Sequence, residues 1–513
     1  MQGVQANNNK IAKNTIFLYI RMFFVLIVSL YTSRVVLNTL GVSDFGVYNV
    51  VGGFVSLFGF LNSTLSSSMS RFFNYEGGQR GEDGVRDVYT AGFWIHVLLA
   101  VVVLILLETF GLWYINNVMV VPADRLHAAN ILFQYSIFSM TLVILEIPYT
   151  SAIMSYERMD FYALVSIIDV VLKLLIVLAL PYIPYDKLIS FATLTLIITV
   201  ANFLLYFIYA KKNFVALKLR REIKKSLFRS FLSFSGWNLV GTFAFMLKGQ
   251  GLNMLLNVFF GTVINAARGV AYQINSAIHG FSTNISTAFR PQIVDAYSKK
   301  NYERVLSMFY SESKICYCLI LVIIVPVIIK IDYILQLWLG DAVPEYANIF
   351  STLVLVDMLI CTLNTPCTQV AYSVGKLKKY QVVTSTINLM LLPVCWIFLK
   401  MGYNAVSVFV FTIVFSIINQ TVCLILLKRL FAYKLVDYAK YVLFPCIALS
   451  ILLPIVPYLL SRTMEDTFVC LVVICLCDIV LAALLLYFLG MNNKEKEMVN
   501  TYFVKIIGKF YTK

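Results

Sequence analysis

Residues 211–229 read KKNFVALKLRREIKKSLFR, and this stretch decides how the chain is organised. About six long apolar segments precede it and about eight follow, each near the ~20 residues that a membrane-spanning helix needs. Because its Lys and Arg residues are interspersed with apolar ones, the stretch is predicted to be an amphipathic helix on the inner membrane surface. It therefore divides the chain into two membrane-embedded halves.

The composition requires a bilayer around most of the chain. Of 513 residues, 60% are hydrophobic and 13% are charged, with a mean hydropathy of +0.83. Soluble domains average about 45–50% apolar and about 25% charged residues. We expect about fourteen spans, near 14–34, 45–68, 89–115, 127–151, 161–183, 188–210, 231–257, 262–289, 305–330, 346–372, 380–400, 403–427, 440–460 and 467–490.

Most of the 41 Lys and Arg residues occupy every second gap between these spans. Loops rich in Lys and Arg remain cytoplasmic, so both termini are predicted to face the cytoplasm. Anionic lipid headgroups account for the net charge of +15, and no soluble basic domain for nucleic acid is expected. We also expect no cleavable signal peptide, because a polar start leads into an apolar run long enough to span.

The cysteines and histidines show no spacing typical of a zinc site. All ten cysteines follow residue 315, mostly within apolar spans, where packing in the helix bundle is the expected role. We therefore expect no disulfide, no metal and no cofactor.

The two halves resemble each other around residues 37–48 and 256–272. The first contains Leu-Asn, then Gly41, then Phe-Gly-Val-Tyr; the second contains Leu-Asn, then Gly261, then Arg-Gly-Val-Ala-Tyr. The offset is about 219 residues and covers an even number of spans, so both halves have one orientation. This predicts a parallel repeat about an axis along the membrane normal, with a binding site between the lobes.

The predicted fold is all-α and polytopic. It has an N-terminal six-helix lobe at 1–210, the basic amphipathic linker at 211–230 and a second six-helix lobe at 231–430. Two additional transmembrane helices at 431–490 and a cytoplasmic tail at 491–513 complete it.

Polar side chains follow single faces of the first, second, seventh and eighth spans. Intramembrane ionisable groups are costly and usually functional, and Arg and Lys are the residues that bind phosphate. The candidate substrate-binding residues are Arg21, Lys248, Asn253, Asn257, Arg268, Tyr272 and Asn275. Asp357 and His279 are candidates for ion coupling. The alternative for Asp357 is neutralisation of one of the buried cations, and the alternative for His279 is a satisfied structural role.

Two other polar features have structural alternatives. On the second span, small residues from Asn49 to Ser70 recur at spacings of three and four, which suits either tight helix packing or a cavity wall. Asp169 and Lys173 are four residues apart on one helix and are expected to pair with each other.

Residues 34–48, RVVLNTLGVSDFGVY, resemble the opening of the polysaccharide-biosynthesis flippases, the Wzx-type transporters related to lipid II flippases and MATE exporters. The resemblance extends to the basic linker after six spans and to the span count. It implies two six-helix lobes that open alternately inward and outward. In lipid II flippases, cavity arginines lie on the first, second and eighth helices; Arg21 and Arg268 match the first and eighth by helix, whereas the second span has none before Arg71.

The same resemblance implies the substrate and the partners. The substrate would be an undecaprenyl-diphosphate-linked oligosaccharide, such as an O-antigen or capsule repeat unit, moved outward for lipopolysaccharide or other polysaccharide biosynthesis. Membrane lipids and the polymerase or ligase of the same pathway are the implied partners.

Two other functions remain as alternatives. A MATE-like, cation-coupled multidrug exporter would need acidic residues in its first lobe, yet the first two spans contain only Asp44. An integral-membrane enzyme would need large outer loops or a catalytic constellation, and neither stands out. We therefore expect that the protein is not an enzyme and has no catalytic residues.

Overall fold

The computed structural model describes the backbone of residues 2–156, 158–222, 224–374, 377–490 and 496. Side chains are described from residue 24 onward, except at 63, 64, 67, 157, 223, 225, 226, 230, 232–241, 284, 285, 287, 288, 290, 291, 294, 295, 298, 375–377, 491–495 and 497–513. Every regular element within these residues is a helix. The predicted tail at 491–513 lies outside the described residues, apart from Lys496.

Eighteen α-helices follow one another along the chain. They are α1 Gln2–Ser56, α2 Phe60–Leu106, α3 Leu112–Asn117, α4 Leu126–Ser155, α5 Met159–Ala179, α6 Lys187–Asn213, α7 Lys225–Phe260, α8 Thr262–Ser298, α9 Tyr302–Ile329, α10 Ile331–Leu339, α11 Ala347–Thr362, α12 Asn364–Val374, α13 Leu377–Lys400, α14 Val406–Leu430, α15 Leu435–Tyr438, α16 Phe444–Leu452, α17 Ile455–Thr463 and α18 Phe468–Leu485. Short 3-10 or π segments connect several of them, at Leu57–Gly59, Leu107–Gly111, Ala123–Arg125, Leu180–Tyr182, Gly340–Ala342, Ala439–Leu443 and Leu486–Gly490.

The chain divides into two compact units. The first contains Met1–Gly269, Trp338–Glu345 and Leu392–Ala405; the second contains Val270–Leu337, Tyr346–Leu391 and Val406–Lys513. The first unit thus includes α7, which the sequence prediction assigns to the second lobe. The lobe boundaries inferred from the sequence stay predictions.

Eleven helical stretches in the described part of the chain are long and apolar enough to cross a membrane. One of them, Phe24–Asn62, contains the end of the expected first span and residues 45–62 of the expected second, joined at Gly41. The expected seventh and eighth spans correspond to α7 and α8, which contain 36 and 37 residues. The predicted all-α polytopic fold is confirmed.

The segment between α6 and α7 is not the helix that its sequence suggests. Residues 214–222 are non-helical, although Phe214, Ala216 and Leu217 are buried as an amphipathic segment requires. Its backbone makes short turn bonds, with Leu217 N donating to Phe214 O at 3.1 Å, and it also bonds to side chains. Lys211 Nζ donates to Leu217 O at 2.6 Å, and Arg220 N donates to Thr90 Oγ1 at 3.0 Å. These tertiary partners replace the intrahelical ladder, so the prediction of a helix here is wrong.

Asp87 on α2 anchors this segment. Its side chain is only 2% exposed, and its carboxylate lies 2.8 Å from Arg220 Nη1, 2.6 Å from Lys224 Nζ and 2.7 Å from Arg80 Nη1. Arg220 also pairs with Asp83. One acidic side chain therefore holds three cations from two separate segments.

An ion-paired cluster joins three elements near the other ends of the first-unit helices. Arg125, just before α4, lies 2.5 Å from Asp44 and 2.6 Å from Asp186, which is the N-cap residue of α6. The expected pairing of Asp169 with Lys173 is confirmed at 2.9 Å, and Asn202 Nδ2 also donates to Asp169 at 2.7 Å.

Candidate functional site

The α7–α8 corner brings the predicted polar residues together. Gly261 alone separates the two helices, and its φ of 75° is a left-handed conformation that favours glycine. The chain reverses there, so side chains a few residues before and after the corner meet. Asn265 Nδ2 donates to Asn253 at both its backbone oxygen and its Oδ1, each at 2.8 Å.

Arg268 is held one turn further along α8. Its side chain is buried at 6% exposure, and Nη2 donates to Gly249 O on α7 at 2.7 Å. Lys248 is the residue before Gly249, is partly exposed and interacts electrostatically with Cys395. Two predicted cations therefore reach the same turn of α7.

Asn257 has a different environment. Its Oδ1 accepts from Val120 N at 2.9 Å and its Nδ2 donates to Val120 O at 3.0 Å. Both ends of the amide are thus paired with the backbone of the loop after α3, and the residue is fully buried. This geometry ties α7 to that loop; the substrate-binding role stays a prediction.

The N-terminal helix α1 approaches this corner through glycines. A Cβ at Gly46 would lie 2.0 Å from Thr262 O, and one at Gly53 would lie 2.6 Å from both Asn253 Nδ2 and Gln250 Oε1. Asn253 Nδ2 also donates to Asn49 O at 3.2 Å. We call Asn49, Asn253, Asn257, Asn265 and Arg268 the corner cluster.

The small-residue stripe of the second span has two kinds of surroundings. Ser66 and Ser70 pack against Ser151 of α4, with Ser66 Oγ and Ser151 Oγ 3.2 Å apart. A Cβ at Gly52 or Gly59 would meet no atom of a described neighbour within 4 Å. Tight packing therefore explains one end of the stripe but not its middle.

The remaining candidates are described by their own surroundings. On α8, Tyr272 and Asn275 are partly buried and His279 is exposed, with Nδ1 3.2 Å from Thr283 Oγ1. On α11, Asp357 accepts a long contact from Cys361 Sγ at 3.9 Å. The side chain of Arg21 lies outside the described residues. The roles of all five stay predictions.

Sequence reasoning overlooked Glu312, on α9. Its side chain is fully buried, whereas the sequence places it beside Lys314 at the charged start of the ninth span. The sequence did show that Glu312 and Cys316 are four residues apart, a spacing that puts both side chains on one face of the helix.

The chemistry of the corner cluster suits an anion better than a metal. It offers amide and guanidinium donors, and the described residues include no group of three or more His, Cys, Asp or Glu side chains that could hold a metal ion. Charge-assisted bonds from Arg to phosphate oxygens are shorter and stronger than neutral ones.

No protein-family model and no curated protein sequence matches the chain. Solved structures do. The lipid II flippase MurJ in an inward closed conformation aligns with a TM-score of 0.70 and 15% identity, covering 92% of this chain and 98% of that one. An inward-facing multidrug resistance MATE transporter of the MOP superfamily aligns with a TM-score of 0.59 and 12% identity, covering 80% and 94%.

A MOP superfamily transporter from Pyrococcus furiosus, described as having a binding pocket of reverse polarity, aligns with a TM-score of 0.55 and 13% identity. That alignment covers 82% of this chain and 96% of the other. At such identities the similarity concerns architecture. The chain therefore has the fold shared by the lipid II flippase MurJ and the MATE transporters of the MOP superfamily.

Proposed function

We propose that the protein is a flippase that moves an undecaprenyl-diphosphate-linked oligosaccharide, of the O-antigen or capsule repeat-unit type, from the inner to the outer leaflet. The observation that carries the proposal is Arg268, a cation buried on a helix of a fold shared with a lipid II flippase. Buried ionisable groups in membrane helices mark substrate or ion pathways.

A lipid-linked diphosphate needs such a group. An unpaired ion in hydrocarbon costs tens of kcal/mol on an idealised scale, which blocks unassisted crossing. Arg can grip a phosphate through two parallel hydrogen bonds, and Lys adds a point charge. Binding would require Arg268 to exchange its bond to Gly249 O for bonds to phosphate oxygens, which carry more charge than a carbonyl.

The membrane potential favours the proposed direction. Moving negative charge outward releases roughly 2.3 kcal/mol per charge for each 100 mV. The potential would therefore favour outward movement of a diphosphate with about two charges, in addition to any contribution from a coupled ion. The undecaprenyl chain can remain in the bilayer, so the protein needs to solvate only the headgroup.

The double variant Arg268→Ala with Lys248→Ala tests the proposal in a strain whose surface polymer depends on this protein. We expect normal membrane abundance, loss of surface polymer and accumulation of the lipid-linked intermediate in the inner leaflet. Arg462→Ala is the matched control, because Arg462 is an exposed cation that contacts Tyr458 of its own helix. Normal polymer in the double variant at normal abundance would refute the assignment of these two residues.

A MATE-like exporter of organic cations is less well supported. Asp44, the only acid on the first two spans, is paired with Arg125. A carboxylate that is already neutralised by Arg offers little to a cationic drug. Protection of cells against cationic drugs would favour this alternative, whereas a flippase should give none.

A further inference from the structure

Glu312 is a buried carboxyl group. It is 0% exposed, and neither of its carboxyl oxygens has a hydrogen-bond partner among the described residues. The Ser286 hydroxyl of α8 is near enough to interact with it. An isolated ionised carboxylate is costly in such surroundings, and a buried carboxyl therefore takes up a proton.

Two buried side-chain amides on other helices also have an oxygen without a hydrogen-bond partner among the described residues. Gln369 of α12 is 8% exposed and Gln420 of α14 is 6% exposed, and the Oε1 of each has no partner among the described residues. Gln369 Nε2 donates to Ser286 O at 2.8 Å, and Gln420 Nε2 donates to Leu363 O at 3.0 Å. These bonds fix which end of each amide carries nitrogen, so the unsatisfied atoms are all acceptors.

The three side chains are linked through two thiols. Ser286 Oγ lies 3.7 Å from Cys316 Sγ, and Gln420 Nε2 lies 3.8 Å from Cys367 Sγ. Glu312 interacts electrostatically with both thiols. Segments of α8, α9, α12 and α14 therefore meet around one carboxyl group, all within the second unit.

Other charges lie elsewhere around α9. Lys314 lies two residues after Glu312, so its side chain points about 200° away from that of Glu312 around the helix. It interacts electrostatically with Cys318 and Cys446. The titratable or charged side chains on elements that pack against α9 are Asp357 and Cys361 on α11, Cys367 and Tyr372 on α12, Tyr438, Lys440 and Tyr441 before α16, Cys446 on α16, Tyr458 and Arg462 on α17, and Cys470, Cys475, Cys477 and Asp478 on α18. Of these, Cys367 is the one with a described interaction with Glu312, and it is neutral as a thiol.

We propose that Glu312 is an exchangeable proton-binding site and that its protonation is coupled to the transport step of the proposed flippase, on which this coupling rests. The protonated form carries no charge, which suits a buried site where its oxygens have no hydrogen-bond partner among the described residues. On release, the O–H bond breaks, the electron pair stays on the carboxylate oxygen and the proton passes to water. The resulting charge requires water or donors, so release favours a conformation in which α8 and α12 separate from α9.

Infrared spectroscopy tests proton binding without any substrate. The purified full-length protein would be placed in nanodiscs of phosphatidylethanolamine and phosphatidylglycerol and titrated in H2O. We expect a carboxylic-acid C=O band at neutral pH that is absent in Glu312→Gln, retained in Glu312→Asp and retained in Glu303→Gln, an exposed control on the same helix. An unchanged band in Glu312→Gln would overturn the proposal.

Surface-polymer synthesis tests the coupling. In cells, Glu312→Gln at normal abundance should reduce polymer to the level of a strain without the protein, whereas Glu303→Gln should not. Wild-type polymer from Glu312→Gln, or a strict Na⁺ requirement that this substitution abolishes, would overturn proton coupling. If instead the Arg268 and Lys248 double variant makes normal polymer while the infrared band behaves as expected, the assigned substrate site fails and the proton site stands.

Discussion

Gly41 and Gly261 adopt nearly the same backbone conformation, with φ and ψ of 76° and 168° for the first and 75° and −170° for the second. Both follow a Leu-Asn pair and both interrupt a helical path, as the aligned repeat in the sequence implies. Left-handed φ values are costly for residues with a Cβ, so glycine at both positions has a conformational cause.

A second pair extends the repeat. Gly81 bends α2 with a φ of 59°, and Lys300, between α8 and α9, has a φ of 57°. Their separation of about 219 residues is the offset found in the sequence. The backbone thus turns at corresponding places in the two halves even where the residue types differ.

Alanine substitutions at Gly41 and Gly52 distinguish the free-energy cost of backbone strain from that of steric crowding. A Cβ at Gly41 or at Gly52 would meet nothing within 4 Å among the described neighbours, but only Gly41 has a positive φ. We expect Gly41→Ala to destabilise the protein by on the order of 1–2 kcal/mol. Gly52→Ala should be neutral or stabilising by roughly 0.5–1 kcal/mol. Thermal unfolding in detergent measures both, and equal midpoints for the two variants would contradict the assignment.

The Asp87 anchor predicts how the segment after α6 opens. Asp87→Asn leaves Arg80, Arg220 and Lys224 close together without their shared carboxylate, which costs on the order of 2 kcal/mol of docking free energy. Trypsin should therefore cleave within residues 214–222 about tenfold faster or more. Asp83→Asn is the control, because Asp83 is 77% exposed and pairs with Arg220. Equal cleavage rates in both variants would show that Asp87 does not hold the segment.

Much of the fold follows from the sequence because a bilayer imposes simple requirements. Spanning segments must be apolar and about 20 residues long, so the all-helical polytopic fold and the position of the repeat could be predicted. The number is less direct, because about fourteen spans were expected and eleven stretches qualify in the described part of the chain. The meeting of Asn253, Asn265 and Arg268 was also accessible, because consecutive antiparallel helices bring residues near a turn together.

The features that the sequence did not reveal depend on distant partners. Asn257 pairs with Val120, 137 residues away, and the linker bonds to Thr90 and Asp87 instead of forming a helix. Local periodicity contains no information on such contacts. Glu312 was overlooked for the same reason, because its burial depends on contacts with helices that are distant in the sequence.

The ion pairs of Arg125 with Asp44 and Asp186 should make the stability of the protein depend on pH. Hydrogen bonds from Arg125 hold the pKa of Asp186 below its usual value of 3.8. The pKa of Asp186 is lower in the folded protein than in the unfolded chain. Asp186 therefore stabilises the fold at pH values above its pKa in the unfolded chain, and this contribution disappears as the pH falls through its pKa in the folded protein. It is therefore present in full at neutral pH.

Asp186→Asn removes this charge while keeping a good N-cap for α6, where Asp186 Oδ1 accepts from Ile189 N at 3.0 Å. We expect the variant to unfold at a lower temperature than wild type near pH 7, with the difference shrinking below about pH 4. Asp124→Asn, which removes an exposed acid next to Arg125, should show no such convergence. A constant difference down to strongly acidic pH would mean that Asp186 acts only as a cap.

Asn257 and Asn275 allow structural and binding roles to be told apart. In Asn257→Asp, the lost Nδ2 donor leaves a carboxylate facing Val120 O in a fully buried site, which should cost on the order of 3 kcal/mol. We therefore expect a lower unfolding temperature and reduced membrane abundance. Asn275→Asp, on a partly exposed position of α8, should keep the stability of wild type but reduce surface polymer, because a carboxylate repels a diphosphate. If Asn257→Asp instead proved as stable as wild type and yet made no polymer, Asn257 would belong to the binding site and its bonds to Val120 would have to open during transport.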